Sequence, residues 1–504
     1  MVAALACAPW AMAKPMMPHT PEAKGPALSR PAPVEKRDGL ALPEPTPAQA
    51  GPSVPHVRYQ LPNGLDVLLI ADRTQPLVAV NVWYHVGSGD EVPGRSGFAH
   101  LFEHMMFQGS KHTGEDKHFE VLREIGASEV NGTTNTDRTN YYEQVPANQM
   151  ETALWLESDR MGWLLDLLSQ KSLDNQREVV RNERRQRYDN VPYGKERFAL
   201  AAALYPQGHP YRYLTIGRHE DLEAASLADV QAFFRQWYVP SNATLCLAGD
   251  FDVATAKGLI DKWFGSLPKV AAPGRLTTPM PVIAAPVVMT VQDPLARLPR
   301  VHLAWHTPAD FANGDAELDL IAHVLGHPGT GRLYKRLVHD KQWAQTVSVY
   351  QQQQQKSSIF HVVVDLKPGV DLAAVQAAVL EEIARVRAQE LDTREIGRAL
   401  ASIESSYVWE LEGLMARADT LQTYVHLLGD PDRLAWDLQR YRKAATNLQA
   451  VAKQWLTEQA RVVVVTEPAN TITPGTAAPS PAAPSSAARG TAAPTAQKSS
   501  EKSK

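Results

Sequence analysis

Two patterns of apolar positions share the chain between about residues 56 and 467. Short runs rich in β-branched and aromatic residues are typical of strands, and the spacing of three and four residues is typical of amphipathic helices. Strands are predicted in "VRYQLPNGLDVLLIAD" (two, joined by a Pro-Asn-Gly turn), "LVAVNVWYHVGSG" and "NATLCLAGDF". Helices are predicted near 116–125, 147–168 and 172–188, and in "DVATAKGLIDKWFGSL". The irregular mixture of the two predicts an α+β fold.

The plan of the first half recurs in the second half. The segment "VQAFFRQWYVPSNATLCLAGDFD" (230–252) is echoed by "LQAVAKQWLTEQARVVVVTEP" (448–468), each a helix, a Gln-Trp pair, a turn and an apolar strand. "PKVAAPGRLTTPMPV" has the proline and glycine content of a linker. We therefore expect two similar domains at 56–267 and 285–467, joined by a linker at 268–284.

Both ends of the chain differ from this folded part. Residues 1–13 form an apolar run that ends in Ala-Met-Ala, as a signal peptide does. The run has no basic residue before it, which is expected if translation starts further upstream. Lipid attachment at Cys7, which follows "ALA", is a second interpretation. Residues 14–55 and 468–504 are rich in proline, alanine and serine and are predicted to be disordered.

Composition narrows the classes of function. The net charge of −4 gives no reason to expect nucleic acid as a partner, and no segment after the N-terminus approaches the roughly 20 apolar residues of a membrane span. The chain has two cysteines, Cys7 and Cys246, far apart in sequence. A disulfide framework and a cysteine-rich zinc site are therefore excluded. We expect an exported, periplasmic or secreted protein.

The segment "GFAHLFEHMMFQGS" (97–110) carries the main candidate chemistry. At about 100° per residue on a helix, His100, Glu103 and His104 share roughly a third of the circumference, and apolar residues cover the other side. Two histidines one turn apart can hold one zinc ion, with the glutamate beside it as a base. A buried helix that carries two histidines for packing is the alternative, but the carboxylate between them favours a metal site.

Zinc requires a third protein ligand and keeps a fourth position for water. In "SLDNQREVVRNERRQRYDN" the candidates are Glu178 and Glu183. Glu183 is predicted on the face that Val179 and Val180 bury, whereas a surface ion pair accounts for Glu178. Glu183 is therefore the better ligand, and a helical salt bridge between Glu183 and Arg187 is its alternative role.

His-x-x-Glu-His in this order resembles the inverzincins, the family of pitrilysin and the mitochondrial processing peptidase. Other segments match that family in its order: "LPNGLDVLLI", "GASEVNGTTNTDRTNYYEQVP", "REVVRNERRQR", "HPYRYLTIGRHEDL" and "WYVPSNATLCLAGDFD". The resemblance covers about 56–467. It implies two similar domains, each an antiparallel-rich sheet covered by helices, that form one half of a clamshell around short or unfolded peptides.

The resemblance also assigns the site of a zinc endopeptidase. It implies His100, His104 and Glu183 as ligands of Zn²⁺ and Glu103 as the general base that takes a proton from water and passes it to the leaving amine. Glu183 follows His104 by 79 residues, slightly more than is usual in the family.

Two further positions follow from the resemblance. Asn131 matches an edge-strand position beside the zinc that holds the substrate backbone, so residues 128–142 would accept peptide as an added strand. An ordinary Asn-Gly turn is the alternative. Gln176 stands where many members carry another glutamate. This substitution would weaken the hydrogen bonding that supports the metal ligands.

The second half departs from the pattern of active single-chain members, which carry an arginine and, seven residues on, a tyrosine that reach the substrate oxyanion. In "GRLYKRLVHDKQWAQTVSVY" these positions hold Val338 and Gln345. Arg336, Tyr334 and Tyr350 lack the family spacing. Loss of oxyanion stabilisation lowers rates by orders of magnitude.

Three interpretations of this departure remain open. In the first, the chain is the zinc-bearing subunit of a heterodimer, and a homologous partner without HxxEH supplies the arginine and the tyrosine. In the second, it is a non-catalytic relative that binds peptides or has a structural role. In the third, it is a homodimeric enzyme of reduced activity. Retention of His100, Glu103, His104 and Glu183 favours the first.

Overall fold

The structure of the chain, a computed structural model, describes residues 51–275 and 278–469. The predicted signal peptide at 1–13 and Cys7 lie outside these residues, as do most of the predicted disordered segments at 14–55 and 468–504. In the described residues, strands form two sheets. The first sheet contains β1 (Val57–Gln60), β2 (Asp66–Ala71), β3 (Leu77–Tyr84), β4 (Ser128–Thr134), β5 (Thr139–Pro146) and β6 (Ala243–Gly249). The second sheet contains β7 (Val287–Asp293), β8 (Arg300–Thr307), β9 (Ala344–Gln352), β10 (Ser358–Leu366) and β11 (Arg461–Pro468).

Helices accompany both sheets. Those of the first half are α1 (Phe98–Met105), α2 (His118–Glu124), α3 (Met150–Trp163), α4 (Gln170–Arg184), α5 (Gly194–Leu204), α6 (His219–Glu223), α7 (Leu227–Trp237) and α8 (Val253–Phe264). Those of the second half are α9 (Asp315–Gly326), α10 (Arg332–Tyr334), α11 (Leu372–Ala388), α12 (Thr393–Glu410), α13 (Leu414–Leu428), α14 (Leu434–Ala444) and α15 (Leu448–Trp455).

The two sheets share one strand order. The first runs β1-β2-β6-β3-β5-β4 and the second runs β7-β11-β8-β10-β9. The order β2-β6-β3-β5-β4 of the first sheet corresponds to the order β7-β11-β8-β10-β9 of the second. In the first sheet β6 is parallel to β2, and in the second β11 is parallel to β7. All other neighbouring strands are antiparallel. The predicted α+β class and the predicted duplication are confirmed. The exact residues at which each domain and the linker begin remain predictions.

The predicted turn and buried strand form as the sequence indicates. Gly64 in the Pro-Asn-Gly turn has a φ of 99°, which a residue with a side chain rarely adopts. β1 and β2 then pair antiparallel from Gln60 opposite Asp66. Every residue of β6 is buried, in agreement with its continuous apolar run.

The predicted helices are present, but their ends differ. The helix expected at 147–168 ends at Trp163 and continues as a tighter turn at Leu164–Asp166. The helix expected at 172–188 begins at Gln170, ends at Arg184 and continues as a wider turn over Arg185–Asp189. Such changes of pitch at helix ends depend on local backbone hydrogen bonds, which apolar spacing does not specify.

The two halves exchange helices. One face of the first sheet, which includes Ala79, Cys246 and Ala248, belongs to the apolar core of the second half, and α13 packs against β3 and β6 there. In return, α5 packs against β7 and β11, with Leu200 and Leu204 in contact with the second sheet. The other face of the first sheet packs against α1, α3, α7 and α8.

Candidate metal centre

The position of α1 is set by its first turn and its apolar face. Gly97 precedes it with a φ of 89°, and a Cβ there would lie 2.9 Å from the Cα of Gly217. The carboxylate of Glu91 accepts hydrogen bonds from the backbone N–H groups of Gly97 and Ala99, at 3.0 and 2.8 Å. Leu101, Phe102, Met105 and Met106 on the opposite face are fully buried. His100, Glu103 and His104 therefore lie on the remaining face.

The side chains of His100, His104 and Glu183 meet between α1 and α4. Glu183 Oε2 lies 3.6 Å from His100 Nε2 and 3.3 Å from His104 Nε2. The two imidazole rings stand 4.8 Å apart, nearly perpendicular. In the described part of the chain, these three residues form the one group of His, Cys, Asp and Glu side chains whose ligand atoms all lie within 4.8 Å of one another.

The orientation of α4 is not quite as predicted. Val180 is buried, but Val179 is 40% exposed, so the prediction that both valines share the buried face with Glu183 is wrong for Val179. Residues 176, 180 and 183 lie three and four apart and so share one helix face; Gln176 on it is buried. Val179 precedes Val180 by about 100° of helix rotation, which places it at the border of this face, where it is partly open to solvent.

Glu183 forms the salt bridge considered from its sequence and also faces the two histidines. Its Oε1 forms an ion pair with Arg187 Nη1, four residues later in the chain, at a distance of 2.9 Å. Its Oε2 faces the histidines. Glu178, by contrast, pairs with Arg181 at 2.6 Å on the surface, as predicted. The contact with Arg187 thus orients the carboxylate without removing it from the histidines.

The donor set fits a zinc ion. Burial lowers the pKa of His100 to about 4, so its imidazole is neutral near pH 7 and keeps a lone pair. Burial acts to raise the pKa of Glu183, but the hydrogen bond from His104 and the nearby His100 and Arg187 hold it below its ordinary value. Zinc bonds of about 2.0–2.1 Å in a tetrahedron place ligands about 3.3 Å apart. Both distances from Glu183 to the histidines are close to that separation.

Glu103 lies beside this group and is held by β4. Its Oε2 accepts a hydrogen bond of 2.6 Å from the hydroxyl of Thr134. Burial raises the pKa of Glu103, and the contacts with Thr134 and His104 partly offset that rise. Thr134 was not identified from the sequence. Thr134 lies two residues after Gly132 on the same strand. Because alternate residues of a strand point to the same face, this spacing is the signal that could have placed Thr134 beside Gly132.

Gly132 allows β4 to approach α1 closely. A Cβ at this position would lie 3.0 Å from Glu103 Cγ and 3.1 Å from the ring of Phe107. The glycine that the sequence offered as part of a turn is therefore inside a strand, where β4 pairs Gly132 with Tyr141 of β5.

Asn131 lies on the edge of the first sheet. β4 ends the strand order and pairs with β5 on one side only, so the described structure leaves its outer edge without a neighbouring strand. The side chain of Asn131 is exposed, and its Oδ1 accepts a hydrogen bond from the backbone N–H of Gly132 at 2.9 Å. The alternative of an ordinary Asn-Gly turn is wrong, because both residues belong to the strand.

Val338 and Gln345 occupy the positions where active single-chain members carry the arginine and the tyrosine that contact the substrate oxyanion. Val338 packs against the core of the second half, and Gln345 is exposed on β9. Arg336 is ion-paired with Glu381 and Glu382.

The two nearby tyrosines are also packed within the second half. Tyr334 packs against the core, and Tyr350 stacks on His361 with 4.7 Å between ring centroids. Burial raises the pKa of Tyr350 to about 12.

Two family models match the chain in sequence order. The model described as "Insulinase (Peptidase family M16)" matches residues 66–206, which include all the residues of the candidate metal centre. The model described as "Peptidase M16 inactive domain" matches residues 224–403.

Similar proteins extend over most of the chain. The zinc protease PqqE of Helicobacter pylori is 26% identical over 424 residues, 82% of this chain and 93% of that protein. The uncharacterized zinc protease YmxG of Bacillus subtilis is 24% identical over 421 residues, 82% of this chain and 98% of that protein. The crystal structure of a protease from Helicobacter pylori has a TM-score of 0.76 at 25% identity and covers 82% of this chain and 99% of that one.

A fourth similarity concerns the fold alone. The periplasmic protease PqqL from Escherichia coli has a TM-score of 0.69 at 18% identity, and the match covers 82% of this chain but 47% of that one.

Among the helices of the described residues, none combines the length and the apolar character that crossing a membrane requires. The two family models and the relatives named as zinc proteases agree with the resemblance seen in HxxEH, and the chain belongs to peptidase family M16.

Proposed function

We propose that the chain is the zinc-bearing subunit of an endopeptidase that hydrolyses short or unfolded peptides. The observation that carries this proposal is the meeting of His100, His104 and Glu183 within ligand distance of one another, with Glu103 beside them. The proposed metal ligands are those three residues, and Glu103 is the proposed general base. The names of the relatives support zinc and proteolysis at the level of the family.

The side chains of the site suit peptide hydrolysis. Zinc, when bound, lowers the pKa of water and polarises a carbonyl group. Glu103 then accepts the proton of the attacking water and donates it to the leaving amine. A group that both takes up and releases a proton works best when its pKa is near the working pH, and burial raises the pKa of Glu103 in that direction. The hydrogen bond from Thr134 fixes the position of the carboxylate.

The outer edge of β4 is the proposed peptide site. Unpaired N–H and C=O groups of an edge strand bind an extended peptide as a further strand. Asn131 and Gly132 lie on this edge, and Gly132 lies against Glu103 of α1, so a peptide there would pass the metal centre. We assign Asn131 to backbone binding of the substrate.

Val338 and Gln345 support a need for a partner subunit. Val338 has no hydrogen-bond donor to take the place of the arginine, and Gln345 has an amide N–H in place of the phenol O–H of a tyrosine. Gln345 is also exposed on β9. We infer that a homologous subunit without HxxEH supplies the oxyanion contacts. The alternative function, a non-catalytic peptide-binding relative, rests on the same two residues. A periplasmic or secreted location is proposed from the predicted signal peptide and from the periplasmic PqqL.

The first experiment measures cleavage of a fluorescence-quenched peptide by the purified chain with zinc. Glu103→Gln tests the base, and Glu178→Gln is a control of equal charge change on an exposed residue of α4. Turnover by the chain alone that is lost on chelation and in Glu103→Gln, but kept in Glu178→Gln, would support the peptidase and make the partner unnecessary.

The second experiment applies if zinc binds without turnover. A homologue that lacks HxxEH and carries the arginine and tyrosine is then added. Restored, chelator-sensitive cleavage would support the divided site. Tight peptide binding without cleavage by the mixture would instead support the non-catalytic function.

A further inference from the structure

A cleft of about 640 Å³ opens next to β4, on the sheet face opposite the metal centre. Its lining includes Glu129, Asn131 and Tyr142 from the first sheet and Met415 and Asp419 from α13 of the second half. Gly132, on the other parity of β4, faces Glu103 on α1. The cleft and the metal centre therefore adjoin the same strand edge from opposite faces.

The exchange of helices creates this cleft. α13 packs against β3 and β6, where Asp419 Oδ1 accepts hydrogen bonds from Asn81 Nδ2 at 2.9 Å and Trp83 Nε1 at 3.2 Å. The two strands beyond β3 are β5 and β4, and their residues Asn131, Tyr142 and Gln144 on this face border the cleft.

An extended peptide added to β4 would reach both faces. Successive side chains of a strand point to opposite faces of its sheet. Every second side chain of the peptide would therefore point toward the metal centre, and the intervening ones would point toward the cleft. The volume of the cleft is within the range of about 300–1,000 Å³ that small-ligand sites occupy, which is ample for a long side chain.

The charge of the lining selects the kind of side chain. Glu129 is exposed and Asp419 is half-buried, and among the described residues that line the cleft there is no lysine or arginine. The hydroxyl of Tyr142 and the amides of Asn131 and Gln144 add hydrogen-bonding groups. Arg138 packs over Trp83 on the same sheet face and offsets part of this negative charge, but it does not line the cleft. A cationic side chain would find two carboxylates in the cleft, and an acidic one would be repelled by them.

We propose that this cleft is a subsite that receives a lysine or arginine side chain of the peptide, with Glu129 and Asp419 as its specificity-determining residues. This inference rests on the proposed use of the β4 edge for substrate. Only alternate side chains of the peptide face the cleft, because the others face the metal centre. A preference for a basic residue is therefore expected at every second position of the peptide.

The test uses the full chain with zinc and the substitution Glu103→Gln, so that peptide is bound and not consumed. Fluorescence anisotropy compares labelled alanine-based peptides in which one lysine, or one glutamate, is moved position by position. Lysine at alternate positions is expected to tighten binding roughly two- to fivefold for each carboxylate that it contacts, and glutamate at the same positions is expected to weaken it.

Variants separate the cleft from general charge effects. Glu129→Gln and Asp419→Asn, singly and together, are expected to abolish the preference for lysine and leave binding of the all-alanine peptide within about twofold. Glu412→Gln is the matched control, since Glu412 is exposed next to the cleft without lining it. Glu129→Lys is expected to shift the preference toward glutamate.

Three results would overturn the subsite: no positional preference, a preference unchanged in both carboxylate variants, or no binding of any peptide. A cleavage assay with wild-type chain and its partner is read separately. Binding preference without any cleavage would refute the proposed catalysis and retain the subsite, whereas cleavage with no preference would refute the subsite and retain the catalysis.

Discussion

Replacement of Glu196 by alanine removes a carboxylate that joins α5 to the second sheet. Glu196 is 2% exposed. Its Oε1 lies 2.6 Å from His302 Nδ1 on β8, and its Oε2 accepts a hydrogen bond of 2.8 Å from Thr466 Oγ1 on β11. Because an ionised carboxylate only accepts, His302 donates through Nδ1, and its Nε2 lies 2.8 Å from His361 Nδ1. Alanine would leave these buried groups without an acceptor.

The expected cost follows from that geometry. Glu196 Oε2 also lies 3.9 Å from Arg300 Nη1, and removal of one partner of a buried ion pair destabilises by about 3–5 kcal/mol, mostly because the other partner stays buried and unpaired. We expect Glu196→Ala to lower the free energy of unfolding by this amount. Glu196→Gln keeps the shape and one acceptor, so we expect about 1–2 kcal/mol, the range for a single buried hydrogen bond.

The measurement is urea unfolding of the full chain, followed by tryptophan fluorescence and circular dichroism. Glu178→Ala is the control, because it removes an exposed carboxylate and should change stability by less than about 0.5 kcal/mol. A loss in Glu196→Ala no larger than that of the control would refute the role assigned to this contact in holding the two halves together.

Acid provides an independent check of the same contact. Burial acts to raise the pKa of Glu196, but His302, Arg300 and Thr466 hold it below the ordinary value of 4.5. A depressed pKa contributes stability that is present above the unfolded value and is lost as pH falls through the folded one. The difference in unfolding free energy between wild type and Glu196→Gln should therefore be constant near neutrality and shrink below about pH 4.5. A difference that grew in acid would contradict this contact.

Three further predictions concern the site and its support. Wild-type chain is expected to bind one zinc ion, measured by metal analysis after dialysis, and Glu183→Gln is expected to bind it at least tenfold more weakly, because a neutral amide replaces one of three donors; equal affinity would exclude Glu183 as a ligand. Gly132→Ala is expected to reduce peptide cleavage by the active assembly with little change in the unfolding midpoint, since its Cβ would lie 3.0 Å from Glu103 Cγ; unchanged kcat/KM would show that the contact is tolerated. Phe102→Ala is expected to destabilise the chain by about 3–5 kcal/mol in urea, because Phe102 is fully buried on the face of α1 opposite His100 and His104; a loss below 1 kcal/mol would contradict its place in the core.

The local part of the candidate site could be predicted from the sequence. The spacing of His100, Glu103 and His104 fixes them on one helix face, and the apolar residues between them fix the opposite face as buried. These relations depend only on helix geometry. The same reasoning failed for Val179, because a neighbour one residue away on a helix can lie at the border of the buried face.

The long-range contacts could not be predicted in this way. Thr134 reaches Glu103 from 31 residues away, and Glu196 reaches His302 from 106 residues away. Such pairs depend on strand order and on which sheet face a helix covers. A pattern of apolar positions specifies which face of an element is buried but not which element covers it.

The exchange of α5 and α13 has a consequence for the evolution and handling of this chain. A duplicated gene first yields two copies that can each fold alone. Here, a cut in the linker would uncover Ala79, Cys246 and Ala248 on one fragment and the surface beneath Leu200 and Leu204 on the other. Each fragment would then present to solvent an apolar surface that the other normally covers, and such surfaces drive aggregation. The two halves therefore stabilise each other, and we expect separate fragments to be useful only when they are produced together.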